Sequence, residues 1–155
     1  MREYMVRLAA SCLFLWMAAV PDLKSQKIPI RIPALFLAAA LAADLFWPSG
    51  IPKRELLSGA VPGAVLLLLS FLLKGKLGEG DGICLLVSGL LTGIVSAVMI
   101  AEVALVMAAA AGCFWIRTGR KDARDRIAFV PCLAAAQSLL LFAEAVRAGR
   151  SLFWQ

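Results

Sequence analysis

Two aspartates stand where apolar chain meets polar chain. Asp22 follows the apolar run Leu8–Val20 and opens a connector that carries Lys24, Lys27 and Arg31. Asp81 closes the island Lys74-Gly75-Lys76-Leu77-Gly78-Glu79-Gly80-Asp81-Gly82, set between the nearly all-apolar stretches Val61–Leu73 and Ile83–Ile100. Four glycines in nine residues do not continue either hydrophobic helix smoothly, and an acid at the lip of a membrane segment is costly to place and usually functional. Two carboxylates brought to one membrane face would provide aspartyl protease chemistry. One must be ionised to activate a water, the other protonated to polarise the scissile carbonyl, and repulsion between them separates the two titrations.

No rival chemistry has its residues. The chain contains no histidine, which removes Ser-His-Asp and Cys-His arrangements, and it has no phosphate-binding glycine loop with its lysine. Cys12, Cys84, Cys113 and Cys132 stand apart in apolar stretches without any CxxC spacing. They read as small packing residues rather than zinc ligands. No metal or organic cofactor is expected.

The elements that must position the two acids are membrane helices. Of the 155 residues, 62 % are hydrophobic and 17 % charged, well to the apolar side of soluble domains. The net charge of +6 comes from cations in short loops between apolar runs, so it sets topology and does not indicate nucleic acid. The first run resembles a signal peptide, but no clear A-x-A cleavage site follows it and five more hydrophobic segments do, so it reads as a retained helix. The expected fold is an all-α membrane protein, a single bundle of six transmembrane helices at about 4–20, 33–47, 55–73, 82–95, 98–116 and 127–147. The run from Ile83 to Ile116 is too long for one span, and a turn is expected between Thr92 and Ala101, with Gly93 and Ser96 as weak markers. Pro62-Gly63 falls inside the third segment, which a bundle tolerates. Loops one, three and five hold ten cations and the opposite side, termini included, holds six. The positive-inside bias places those loops in the cytoplasm and both termini outside. Asp22 and Asp81 then share the cytoplasmic edge.

These same residues carry a resemblance. Gly78-Glu79-Gly80-Asp81 is a G-x-G-D sequence opening a hydrophobic segment. Asp22-Leu23-Lys24-Ser25-Gln26-Lys27-Ile28-Pro29 is similar to the D-x5-I-P element that ends the first helix of type IV prepilin peptidases. Ile127-Ala128-Phe129-Val130-Pro131-Cys132-Leu133 is similar to the I-P-F-x-P-x-L start of their last helix. The three elements occur in the family's order and cover about Val20 to Leu141. The resemblance implies a membrane aspartic endopeptidase that cuts the basic leader of prepilin- or pseudopilin-like precursors at the cytoplasmic face of the inner membrane. Asp22 and Asp81 would be the catalytic pair, with Gly78, Gly80, Ile28 and Pro29 forming the loop that substrate approaches. Three positions depart from the family pattern: Ile30 where asparagine is usual, Ile83 where lysine is common, and Ala128 in place of a proline. Large members add a cysteine-motif methylating domain, for which this chain has neither length nor CxxC pairs. It resembles the short, peptidase-only members of Flp/Tad-type pilus systems.

Further expectations attach to particular residues. Gly78 and Gly80 would permit positive φ or close approach to a bound peptide. Asp81 at a helix start would favour its anion and Asp22 at a helix end its protonated form, although coupled acids titrate as a pair. Asp44, Glu102 and Glu144 are expected toward the outer helix ends, with Arg7 and Arg54 as partners in an ion-pair cluster. Trp16, Trp47, Trp115 and Trp154 read as interfacial anchors. Lys24, Lys27 and the Arg117–Arg126 run are expected mainly to set topology, with contact to anionic lipid as a minor role. The alternatives are a catalytically degenerate membrane scaffold or assembly factor of a pilus or secretion system, and a small transporter using Glu102 or Asp44. Oligomeric state is not encoded in any of these features.

Overall fold

Apolar runs bounded by glycine, proline and charge become helices here because a chain in hydrocarbon must satisfy its own backbone donors and acceptors. The computed structural model describes residues 2–25, 29–46, 52–73, 78–118 and 129–153, and among these there are six helices and no strand. They are α1 (Arg2–Ser25), α2 (Arg31–Phe46), α3 (Lys53–Leu72), α4 (Glu79–Thr92), α5 (Ile94–Arg117) and α6 (Val130–Phe153). Four of them, α1, α3, α5 and α6, are long and apolar enough to cross a membrane. By contrast α4 has 14 residues, about 21 Å at 1.5 Å per residue, short of a hydrocarbon core of about 30 Å. Large apolar side chains stand on the outer surface: Phe71 is 80 % exposed, and Val106 and Phe142 are each 70 % exposed. Such a surface belongs in lipid, and the chain is a membrane protein.

Two helix boundaries differ from those the sequence suggests. The first helix does not stop at Val20; α1 runs through Pro21 to Ser25. Proline removes one backbone donor and crowds the preceding turn, but membrane helices accommodate this where neighbours pack against them. Asp22 therefore sits on a helix rather than in a connector. The turn expected between Thr92 and Ala101 is the single residue Gly93, at φ +86°. That conformation is open to glycine and strained for residues with a Cβ. Its N–H donates to the Gly89 carbonyl and its own carbonyl accepts from Ala97, so one residue ends α4 and starts α5.

α3 and α4 lie backbone against backbone. A Cβ on Gly59 would strike the Gly89 carbonyl oxygen, one on Gly89 would strike the Gly59 carbonyl oxygen, and one on Gly63 would fall on the backbone of Leu86. The Gly59-x3-Gly63 and Gly89-x3-Gly93 spacings are the small-residue pattern that lets membrane helices approach closely, and no feature of the hydropathy profile reveals which helices they join. Along this seam the sum of paired residue numbers stays nearly constant, as an antiparallel pair requires.

α1 is held differently, by apolar packing and polar clasps. Phe14, Leu15, Ala18 and Ala19 are buried with Leu85 and Leu91 of α4, Ile100 of α5 and Leu133 of α6. The Phe14 and Phe36 rings, 5.0 Å apart, tie α2 to α1. Ser11 and Ser88 share a buried hydrogen bond of 2.7 Å, and Tyr4 meets Ser96 at 2.8 Å. On the other side Gln137 Nε2 donates to the Leu8 carbonyl at 3.1 Å, and Trp16 Nε1 donates to Ser138 Oγ at 3.0 Å. Trp16 thus directs its N–H into the bundle rather than toward an interface. Trp47 and Trp154 lie outside the described residues.

Candidate active site

The chain order that separates Asp22 from Asp81 by 59 positions is undone by the antiparallel packing of α1 on α4. The Ser11–Ser88 bond at mid-helix sets the register, and eleven residues further along α1 and seven back along α4 the two aspartates arrive at the same end of the bundle. They lie within electrostatic reach of each other. Asp22 is 6 % exposed. Its carboxyl accepts a hydrogen bond from the backbone N–H of Val130, the first residue of α6, while its Oδ2 is buried with no hydrogen-bond partner. The start of α6 is therefore part of the site. Its N–H is one of the donors that a helix leaves free in its first turn. The structure thus joins the three separated sequence elements that contain Asp22, Asp81 and Phe129–Leu133.

The first glycine of the G-x-G-D element has a steric role. Gly78 caps α4 at φ −69° and ψ 116°, ordinary extended backbone, so the expectation of a positive φ does not hold there. Instead a Cβ at Gly78 would lie 2.5 Å from Asp81 Oδ2, closer than atoms can pack. The Asp81 side chain folds back over its own helix start, and glycine makes the room. Gly80 is half-buried in the first turn of α4. Pro29 is exposed, and its carbonyl accepts from the Ile32 N–H at the entrance of α2. Ile28, Ala128 and the lysines Lys74 and Lys76 lie outside the described residues.

Burial raises the Asp81 carboxyl from the ordinary aspartate range to about 7, and the neighbouring Asp22 charge adds to the effect. The helix start, which by itself favours the anion, is outweighed by lost hydration. Neighbouring acids titrate as a pair, so lost hydration at the site and not the helix start alone sets where the shared proton resides. At neutral pH Asp81 retains a proton for a substantial part of the time, and the group beside it has an N–H donor to support a charge.

Two further residues border the pair. Cys84 and Cys132 both lie within electrostatic reach of Asp22 and Asp81. Neither was singled out from sequence, yet Cys84 follows Asp81 by three positions and so shares its helical face. Ile83, at the position where a lysine is common in the resembled family, packs against the buried core and brings no cation to the site. Among the described residues neither Glu102 nor Glu144 pairs with Arg7 or Arg54 as expected. Glu144 pairs with Arg147 of its own helix at 3.3 Å. Glu102 stands eight residues into the 24-residue α5, about 12 Å from its start, and the side chain of Asp44 is outside the described part. Among the described residues no group of three or more potential ligands could hold a metal ion.

No curated protein and no solved structure matches the chain. A family comparison does: residues 9–115 match the type IV leader peptidase family. The matched stretch covers well over half of the chain and includes Asp22, Asp81, Gly78 and Gly80. The helical, membrane-suited architecture agrees with that match, and the chain belongs to the type IV leader peptidase family.

Proposed function

We propose that the protein is an aspartic endopeptidase that removes the basic leader of prepilin- or pseudopilin-like precursors, with Asp22 and Asp81 as its catalytic pair. The observation that carries this reading is the convergence of two buried-edge carboxyls from α1 and α4, one with an unpartnered oxygen and the other raised to about 7. In the reading, the Asp22 carboxylate takes a proton from water as the water oxygen bonds to the scissile carbonyl carbon. Asp81, protonated, donates to the carbonyl oxygen. Collapse of the tetrahedral intermediate breaks the C–N bond, and the leaving amine takes the proton from Asp22. Returning the proton on the intermediate to Asp81 regenerates the pair, so no metal or organic cofactor enters the cycle.

The charge distribution supports a six-span arrangement in the inner membrane with both termini outside and the aspartates at the cytoplasmic edge. A precursor whose hydrophobic helix lies in the bilayer and whose leader remains in the cytoplasm presents its junction at that depth. The test is cleavage of a leader-bearing peptide by purified protein in liposomes. Cleavage by the wild type, and its loss in both Asp22→Asn and Asp81→Asn, is the expected result. Cleavage that survives either substitution rejects the pair, and folded wild-type protein that binds the peptide without cutting it would favour a scaffold.

A further inference from the structure

The first turn of α6, Val130 to Leu133, has one backbone N–H to offer outside its own helix. A helix start normally leaves several such groups without internal partners. Here the Phe129 carbonyl, just before the helix, accepts from the Cys132 N–H at 2.9 Å and from the Leu133 N–H at 3.1 Å. Pro131 has no N–H to give. That leaves the N–H of Val130, and it donates to the Asp22 carboxyl.

The same contact is uneven on the side of Asp22. The residue is 6 % exposed, its carboxyl accepts from Val130, and its Oδ2 is buried without a hydrogen-bond partner. Consecutive amides in a first turn point the same way along the helix axis. The donor that a carboxyl seated on the Val130 N–H would ordinarily meet next is therefore the N–H of residue 131. In this chain that atom is a proline ring nitrogen. Proline is common in first turns because its missing N–H has no partner there anyway, which accounts for stability alone. It does not account for a buried carboxyl held at that turn with one oxygen left bare, an arrangement that costs free energy unless something donates to the oxygen.

We infer that Pro131 is a positioning residue for the reaction: by withholding a backbone N–H it keeps Asp22 Oδ2 open to a hydrogen bond from the reacting water. The inference rests on the peptidase reading, in which the Asp22 carboxylate takes a proton from that water. A second backbone N–H would occupy the oxygen and stabilise the anion, leaving a weaker base. The titratable groups that face Asp22 are Asp81 and Cys84 of α4 and Cys132 of α6.

The test changes single N–H groups in the full chain, in liposomes. Pro131→Ala adds a donor. The α-hydroxy analogue of alanine at position 131 keeps the alanine side chain on an ester linkage that has no N–H. The α-hydroxy analogue of valine at position 130 removes the donor already present. In an Asp81→Asn background Asp22 titrates without its coupled partner, and infrared difference spectra follow the carboxyl band that Asp22→Asn abolishes. Pro131→Ala should lower its midpoint by about one pH unit, the ester at 131 should return it to the starting value, and the ester at 130 should raise it. With Asp81 in place, Pro131→Ala should lower kcat for a leader-bearing peptide by roughly three- to tenfold. The acid limb of the pH profile should move down with KM unchanged, and the ester at 131 should restore both kcat and the profile. An unmoved midpoint in Pro131→Ala, or a shift shared by alanine and its ester, would overturn the inference and leave Pro131 a structural start for α6. The added N–H finds a partner in Asp22, so Pro131→Ala should stay folded by circular dichroism, and unfolding would overturn the inference as well. The two claims fail separately. Midpoints that shift in the expected order without any cleavage by the wild type remove the peptidase reading and keep Pro131 as the residue that sets the proton affinity of Asp22. Cleavage that needs both aspartates while the midpoints stay fixed keeps the peptidase reading and removes Pro131 from it.

Discussion

α4 meets the rest of the protein through two unlike faces. On one, Gly82, Leu86 and Gly89 press against α3 so closely that no Cβ fits at Gly59 or Gly89. On the other, Asp81, Cys84 and Ser88 face α1, where contact is made by a serine pair, apolar packing and two carboxyls. At Gly82, Leu86 and Gly89 the first face offers only glycine and aliphatic carbon, with one way to fit. The second holds groups whose protonation and hydrogen bonding depend on their surroundings. Chemistry is possible on the second face because the first one fixes the helix: an aspartate on a 14-residue helix keeps its position only if that helix neither rotates nor slides. Rigid backbone packing and adjustable carboxyls are therefore two halves of one device.

The comparison can be broken from either side. The largest effect is expected on the α1 face, where Asp22→Asn and Asp81→Asn should each lower leader cleavage by about 10²–10⁴-fold or more while leaving thermal unfolding near that of the wild type. A drop in activity matched by a drop in folded protein would count against a catalytic role. On the α3 face Gly89→Val should cost roughly 1–3 kcal/mol or more in stability, because the added carbons meet backbone that cannot yield. Detergent-resistant folding, followed by circular dichroism during denaturation, reads this. Gly149→Val serves as the control, since a Cβ at Gly149 meets nothing within 4 Å. Equal losses at both positions would remove the seam from the account.

A pH series probes the α1 face without changing any bulk. The Asp81 carboxyl is raised from 3.8 to about 7 in the folded protein. The folded state then binds the proton more tightly than the unfolded one. Its contribution is fully present below about pH 3.8 and is lost as pH rises through about 7. Stability should decline across that window by roughly 1–3 kcal/mol, and Asp81→Asn should flatten the decline. Cleavage should fall above about pH 7 for the same reason, as the proton donor is lost. A slope unchanged in Asp81→Asn would assign the titration elsewhere. The smallest effect belongs to the serine pair: Ser88→Ala should cost about 0.6 kcal/mol, the usual scale of a hydrogen bond between membrane helices, with cleavage nearly unchanged.

The glycine island illustrates how far a linear reading extends. G-x-G-D before an apolar run marks Asp81, and the acid-to-Ile-Pro spacing marks Asp22, because both are local patterns at helix ends. The role of Gly78 is not local in that sense. It depends on the Asp81 side chain folding back over it, a rotamer that no spacing rule reports. The course of α1 through Pro21 shows a related limit. The cost of a proline to a helix is known from sequence, whereas the packing that offsets it belongs to neighbours far along the chain. The Gly59-x3-Gly63 pattern was visible but mute, since small residues at that spacing announce a close contact and leave the partner unnamed.

Hydropathy, charge and the absence of histidine determined by themselves that this is a helical membrane protein, and that its strongest candidate chemistry rests on two aspartates. Those properties are sums over residues and patterns within single helices, which the chain carries wherever it folds. Tertiary structure decided which elements meet: α4 sealed onto α3, the Val130 N–H directed at Asp22, and Cys84 and Cys132 beside the pair. It also decided the proton balance. Burial is a property of surroundings, and it outweighs the helix-start preference that the sequence alone assigns to Asp81.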